Sequence, residues 1–230
     1  KDYPDYIKNI QTNGCFASGG ENNLFTGQPP LIIDWAAKVY KYSDNTLPLF
    51  YSRAAKSRYR SLITKSKNVF IFMDIAVGDE PAGRLTFELY QSLAPKTVEN
   101  FLYFLKARDD VPGYFRTAFH RLVNDGWIQG GDLGNSQTSI YGGEFEDESY
   151  AIKHDESGIL GMCNTGRHTN CTQFYITLKP HAWMDYKYVA LGKLIDGSRT
   201  LRLINQLKVQ NNANQKPEKP ICIVGCGMID

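Results

Sequence analysis

The sequence predicts a mainly β protein: a closed β-barrel with two helices, preceded by a shorter N-terminal segment of helix and loop. Three observations predict it. Beyond Asn68 a succession of short runs has strand character, each bounded by turn residues. Only two stretches there have helical periodicity. The texture also changes sharply at Asn68, from a loop-rich, Tyr-, Asn-, Gly- and Pro-rich stretch to a nearly continuous apolar run. Many short strands with few helices are the pattern of a barrel. The expected division is residues 1–67 and residues 68–230.

In the first part, Asn13 to Pro30 reads as loop, with Gly19-Gly20 and Pro29-Pro30 as breakers. Leu31 to Tyr42 places Ile32, Trp35, Ala36 and Val39 at spacings of three and four, a short amphipathic helix that needs a surface to pack on. Arg53 to Lys67 carries Arg53, Lys56, Arg58, Arg60, Lys65 and Lys67 and no acid. It reads either as a solvated linker face or as a docking strip for an acidic partner.

In the second part, Val69 to Met73 reads as a buried strand. Gly78 to Pro81 reads as a turn, and Arg84 to Leu89 as a strand with Leu85, Phe87 and Leu89 on one face. Pro95 opens a helix whose stripe is Val98, Phe101, Leu102 and Leu105. Further strands are expected over Ala118–Val123, Trp127–Gly130, Ile159–Met162, Gln173–Thr177, Tyr188–Leu194 and Ile221–Met228. The second helix is expected near Ser198–Leu207.

Bulk properties narrow the function classes. Hydrophobic residues make up 42% and charged residues 22%, an ordinary globular composition. A net charge of +2 does not suggest a nucleic-acid partner. No run approaches the roughly 18 apolar residues of a membrane-spanning helix. The chain opens at Lys1 without a methionine, so an upstream targeting peptide stays open. Five irregularly spaced cysteines are a poor disulfide framework and fit a reducing compartment, so a cytoplasmic location is expected. Cys222 and Cys226 have no second pair at zinc-ligand spacing, and no metal is expected.

The motifs go further. Phe119-His-Arg-Leu-Val123 is followed by Gln129-Gly-Gly-Asp132, Ser139-Ile-Tyr-Gly142 and Phe145-Glu-Asp-Glu148. Gly158-Ile-Leu-Gly-Met162 runs into Asn164 and Gly166, and Gln173-Phe-Tyr-Ile176 and Trp183-Met-Asp185 complete the series. Pro95-Lys-Thr97 and Asn100-Phe101 stand upstream. In this order and spacing they resemble the cyclophilin family of peptidyl-prolyl cis/trans isomerases. Gly126-Trp-Ile-Gln-Gly-Gly131, Gly166-Arg-His168 and Trp35-Ala36 look like one branch of it, the isomerase-like protein six branch, which carries an N-terminal segment before the cyclophilin domain.

The resemblance implies an eight-stranded antiparallel barrel capped by two helices. It implies a groove on the outer wall that binds an extended peptide with one proline in an apolar pocket, and no cofactor. The expected partners are proline-containing peptides or proteins, with cyclosporin as a further ligand. Resemblance to a branch associated with ciliated cells adds a ciliary axoneme as a location, and tubulin as the acidic surface for Arg53–Lys67.

Isomerisation about an X-Pro bond breaks no covalent bond. The barrier of about 18–20 kcal/mol is the loss of amide resonance as the C–N bond twists. A catalyst must hold the twisted form better than either planar form. It can do so by donating a hydrogen bond to the proline nitrogen as its lone pair localises. Arg121 matches the family's catalytic arginine, and a guanidinium is a permanently charged, multi-donor fork suited to that task. Gln129 matches a glutamine that positions the arginine and the substrate backbone, and Gln173 a second groove glutamine. Asn164 matches a position whose backbone pairs with the peptide, flanked by Cys163 and Thr165. Tyr175, Met184 and Trp183 match pocket positions, Trp183 being the indole associated with cyclosporin binding. His120 reads as structural, because no proton transfer is required.

Three departures bear on activity. Gly126 falls where the family has a pocket phenylalanine, Trp127 where it has methionine, and Tyr188 where a histidine is common. Trp127 either refills the pocket volume or blocks it. Three readings stay open: an isomerase of reduced activity, a proline-peptide binding module, and a barrel serving as scaffold in a larger assembly.

Overall fold

The computed structural model describes residues 68–107, 111–134, 138–210 and 214–229. The helix expected over Leu31–Tyr42 and the basic strip Arg53–Lys67 lie outside the described residues. The eight strands are β1 (Val69–Val77), β2 (Glu80–Leu89), β3 (Arg121–Leu122), β4 (Trp127–Gly130), β5 (Ile159–Met162), β6 (Phe174–Thr177), β7 (Ala190–Asp196) and β8 (Ile221–Ile229). Among the described residues the helices are α1 (Pro95–Lys106) and α2 (Ser198–Asn205), and Ala182–Met184 forms a 3-10 turn.

The strands form one sheet in the order β3-β4-β6-β5-β7-β2-β1-β8, every pair antiparallel. The β1–β2 hairpin turns tightly at Gly78-Asp79, so β2 begins four residues before the expected Arg84. The sheet curls until its two ends meet. The closing contacts come from the residues just before β3: Ala118 bridges Cys222 on β8, Arg116 and Phe119 donate N–H groups to the Ile223 and Ile221 carbonyls, and Ile223 donates to the Thr117 carbonyl. That is why β3 shrinks to two residues, since the first half of the expected strand pairs with β8 instead.

The barrel interior is filled by alternate residues from every strand, including Ile71, Met73, Leu85, Phe87, Ile128, Leu160, Phe174, Ile176 and Ile223. Helix α1 buries the expected stripe of Val98, Phe101, Leu102 and Leu105. Its first turn has N–H groups without helical acceptors, and Glu148 supplies them. One carboxylate oxygen accepts from the Lys96 N–H at 3.0 Å, the other from the Thr97 N–H and hydroxyl, both at 2.9 Å. The Phe145-Glu-Asp-Glu148 motif therefore caps a helix across the fold. Helix α2 buries Leu201 and Ile204. Cys226 is buried and directs its thiol at the Leu105 carbonyl of α1, so it belongs to the core.

Candidate active site

Strand register puts the candidate residues on one face. Arg121 on β3 pairs with Gln129 on β4, Gln129 with Tyr175 on β6, and Tyr175 with Gly161 on β5. Residues paired across a sheet point the same way. The neighbouring row is Leu122, Ile128, Ile176 and Leu160, all buried in the barrel interior. The row Arg121–Gln129–Tyr175–Gly161 therefore faces the outer wall. Trp127, two residues before Gln129 on β4, shares that face.

Aromatic side chains continue from this row as a chain of edge-on contacts. The Arg121 guanidinium lies 5.4 Å from the Trp127 ring centre, within cation–π range. Trp127 meets Trp183 at 6.0 Å and His181 at 6.3 Å, Trp183 meets Tyr188 at 6.1 Å, and Tyr188 meets Tyr175 at 5.8 Å. Trp183 is 49% exposed, whereas Tyr175 is 1% and Met184 2% exposed. Trp183 thus stands at the rim, and Tyr175 and Met184 lie below the surface. Trp127 is half-buried on the outer face, between the Arg121 guanidinium and the Trp183 ring.

The polar groups are tied in pairs. Gln129 Nε2 donates to Gln173 Oε1 at 2.8 Å. The Cys163 N–H donates to the Gln173 carbonyl at 2.9 Å. Burial pushes the Cys163 thiol well above the usual range, with Arg121 opposing, so it stays a neutral thiol. Asn164 follows, its side chain bound to the Lys187 carbonyl at 2.8 Å. Thr165 is exposed and donates its N–H to the Thr169 hydroxyl at 2.9 Å. The Arg121 guanidinium is held by Gln215, whose Oε1 accepts from Nε at 3.3 Å and from Nη2 at 3.1 Å. The family resemblance implies that Gln129 positions Arg121 and the substrate backbone. In the structure the Gln129 amide donates to Gln173, and the acceptor for Arg121 is Gln215.

Gly126 is explained by backbone geometry. Gly126 and Trp127 both donate N–H groups to the Val123 carbonyl, at 2.9 and 3.1 Å, closing a tight turn between β3 and β4. A Cβ at Gly126 would lie 2.8 Å from Val123 Cγ1 and 3.1 Å from the Val123 carbonyl oxygen. A side chain there would push on the Val123 side chain and crowd this turn.

Tyr175 also differs from the family's phenylalanine. Its hydroxyl lies 2.6 Å from His154 Nε2, and His154 Nδ1 lies 2.8 Å from Asp185 Oδ1. A carboxylate only accepts, so Nδ1 carries the proton, and Nε2 of the neutral ring accepts from the Tyr175 hydroxyl. The His154 N–H also donates to Asp185 at 2.9 Å. His154 is 1% exposed. Burial holds its pKa below the ordinary imidazole value, although the Asp185 hydrogen bond and charge pull upward. Asp185 lies below the usual carboxylate range: its own desolvation opposes this, and the His154 hydrogen bonds outweigh it. His120 is likewise lowered by burial.

A pH dependence follows. A histidine with a depressed folded pKa binds its proton more readily in the unfolded chain. Its contribution to stability is full above about pH 6.5, the ordinary imidazole value, and is lost as pH falls through the folded pKa. The expected slope in that window is at most about 1.4 kcal/mol per pH unit for each proton. Denaturant melts across pH 4.5–8 read it, and His154→Gln should flatten the slope. A slope unchanged in that variant would show that another group carries the pH dependence and that His154 is not held below its ordinary value.

Taken with the barrel, this outer-wall row defines a class. The chain matches the family described as Cyclophilin type peptidyl-prolyl cis-trans isomerase/CLD over residues 72–228, and it belongs to that family. It is 38% identical over 210 residues to the human protein named probable inactive peptidyl-prolyl cis-trans isomerase-like 6, covering 87% of this chain and 66% of that protein. The mouse protein of the same name is 38% identical over 225 residues, 94% of this chain and 70% of its own. Peptidyl-prolyl cis-trans isomerase 11 of Caenorhabditis elegans is 39% identical over 170 residues, 70% of this chain and 92% of its own. The chain thus spans about two thirds of the length of these mammalian relatives.

Proposed function

We propose that the outer-wall row binds an extended, proline-containing segment and isomerises its X-Pro bond, more slowly than a cyclophilin with an intact pocket wall. The observation that carries this is the shared face of Arg121, Gln129 and Tyr175, bordered by the Trp127–Trp183–Tyr188 rim. Arg121 is the donor to the proline nitrogen as amide resonance is lost. Gln129 and Gln173, bound to each other, face the peptide backbone. Asn164 offers backbone groups that, among the described residues, take part in no hydrogen bond. The missing side chain at Gly126 accounts for reduced rate, because an absent aromatic wall removes contact worth roughly 1–3 kcal/mol.

A second reading is favoured by the name of the mammalian relatives, probable inactive, and by the same gap at Gly126. It is a groove that binds prolyl peptides without turnover. An isomerisation assay on an X-Pro peptide, with and without cyclosporin, separates the two. Catalysed exchange that cyclosporin suppresses supports the isomerase. Peptide binding with exchange at the uncatalysed rate supports the binding module, and no binding at all contradicts both.

A further inference from the structure

Arg121 reaches its position through a residue outside every family motif, and we propose that Gln215 is the positioning residue that sets where its guanidinium stands. This rests on the role given to Arg121 under Proposed function. Three observations carry it. First, Gln215 Oε1 accepts from both Nε and Nη2 of Arg121, so one amide oxygen fixes the orientation of the fork. Among the described residues Nη1 takes part in no hydrogen bond, and it remains to serve a ligand.

Second, Gln215 has φ +49, a left-handed conformation that residues with a Cβ rarely adopt. Glycine would be easier there, yet the chain carries a long amide. The strained backbone is held by its neighbours. The Gln215 carbonyl accepts the Leu122 N–H at 2.9 Å, beside Arg121 on β3. The loop is braced by Gln210 donating to Lys216 at 2.8 Å, Glu218 donating to Lys208 at 3.0 Å, and the Val209–Pro217 bridge. Backbone and side chain of Gln215 thus grip two successive residues of β3.

Third, among the described residues no hydrogen bond joins Arg121 to Gln129: the Gln129 Nε2 donates to Gln173 and both bonded donors of Arg121 go to Gln215. Gln215 is also neutral. An amide oxygen fixes the guanidinium without cancelling its charge, so the full positive charge remains for the prolyl nitrogen. A carboxylate in its place would hold the fork equally well and weaken its field.

The test is a mutant cycle in the full chain. Gln215→Gly removes the amide and relieves the left-handed backbone, so the variant should fold. Its kcat/KM should fall at least about fivefold, since two hydrogen bonds to the fork are lost and one alone is worth about that much, with peptide Kd changed less than about twofold, because Arg121 acts on the twisted state. In an Arg121→Ala background the same change should have no further effect. Gln215→Glu should keep Arg121 in place and still lower the rate. A readout free of turnover is the Arg121 Nε–H resonance: its solvent exchange should be slow in the wild type and in Gln215→Glu, and fast in Gln215→Gly. If the wild type shows no turnover, the isomerase reading fails and this resonance alone decides the positioning role. Equal exchange in wild type and Gln215→Gly, or an equal rate loss with and without Arg121, overturns the proposal.

Discussion

Gly161→Ala is expected to destabilise the barrel by about 3 kcal/mol, the upper end of what overpacking a filled core costs. Gly161 sits opposite Tyr175 across the β5–β6 ladder. A Cβ there would fall well inside van der Waals contact with the Tyr175 hydroxyl and Cζ, and 2.9 Å from Cε1. The tyrosine cannot retreat easily, because it is 1% exposed and its hydroxyl is bound to the buried His154. Relief requires swinging the ring toward the groove, which leaves His154 Nε2 without its partner. A thermal melt reads the loss as roughly 6–12 °C for a domain of this size. Tyr175→Phe should rescue only part of it, since the ring carbon Cζ also blocks the new methyl. A melting temperature within 2 °C of the wild type would mean that Tyr175 has free space.

Arg121→Ala should lower catalysed isomerisation at least tenfold, about 1.4 kcal/mol in the barrier. The side chain is half-buried on the outer face, bound to Gln215 and lying over Trp127, and it contributes nothing to the barrel interior. The fold should therefore survive, with a melting temperature shifted by no more than a surface substitution gives. Arg121→Lys should not restore the rate, because an ammonium cannot hold Gln215 and a ligand with one planar fork. Turnover unchanged in Arg121→Ala would remove Arg121 from the mechanism while leaving the groove as a binding surface.

Most of the barrel was legible in the sequence because apolar alternation and turn residues agree there. Trp127–Gly130 and Ile159–Met162 occur as strands with the expected bounds. The stripe on α1 is the expected one, since a helix of that length buries one face whatever it packs on. Boundaries shifted where pairing partners decide them. Ala118–Val123 reads as one strand, and only the curled sheet reveals that Ala118 and Phe119 pair with β8.

Which candidate residues share a face was legible where a motif lies on a strand, and opaque elsewhere. Arg121, Gln129 and Tyr175 share a face because each lies on a recognisable strand. Gln215 lies in a polar loop with no periodicity, 94 residues from Arg121, and nothing local marks it. The Tyr175–His154–Asp185 series joins residues 21 and 31 positions apart, visible only once β6 and the 3-10 turn are folded together. Gly126 read as a missing pocket wall, and the turn at Val123 shows that a side chain there would be crowded.

We propose that a prolyl peptide binds and twists on the Arg121–Gln129–Tyr175 face, rimmed by Trp127 and Trp183. The most direct measurement is nuclear magnetic resonance of the labelled chain titrated with an X-Pro peptide, followed by exchange spectroscopy on the peptide. Shifts are expected at the Trp127 and Trp183 indole N–H groups and the Gln129 and Gln173 side-chain amides, with cis/trans exchange faster than the tens to hundreds of seconds of the free peptide. Shifts confined to other faces of the barrel, with exchange at the free-peptide rate, would contradict it.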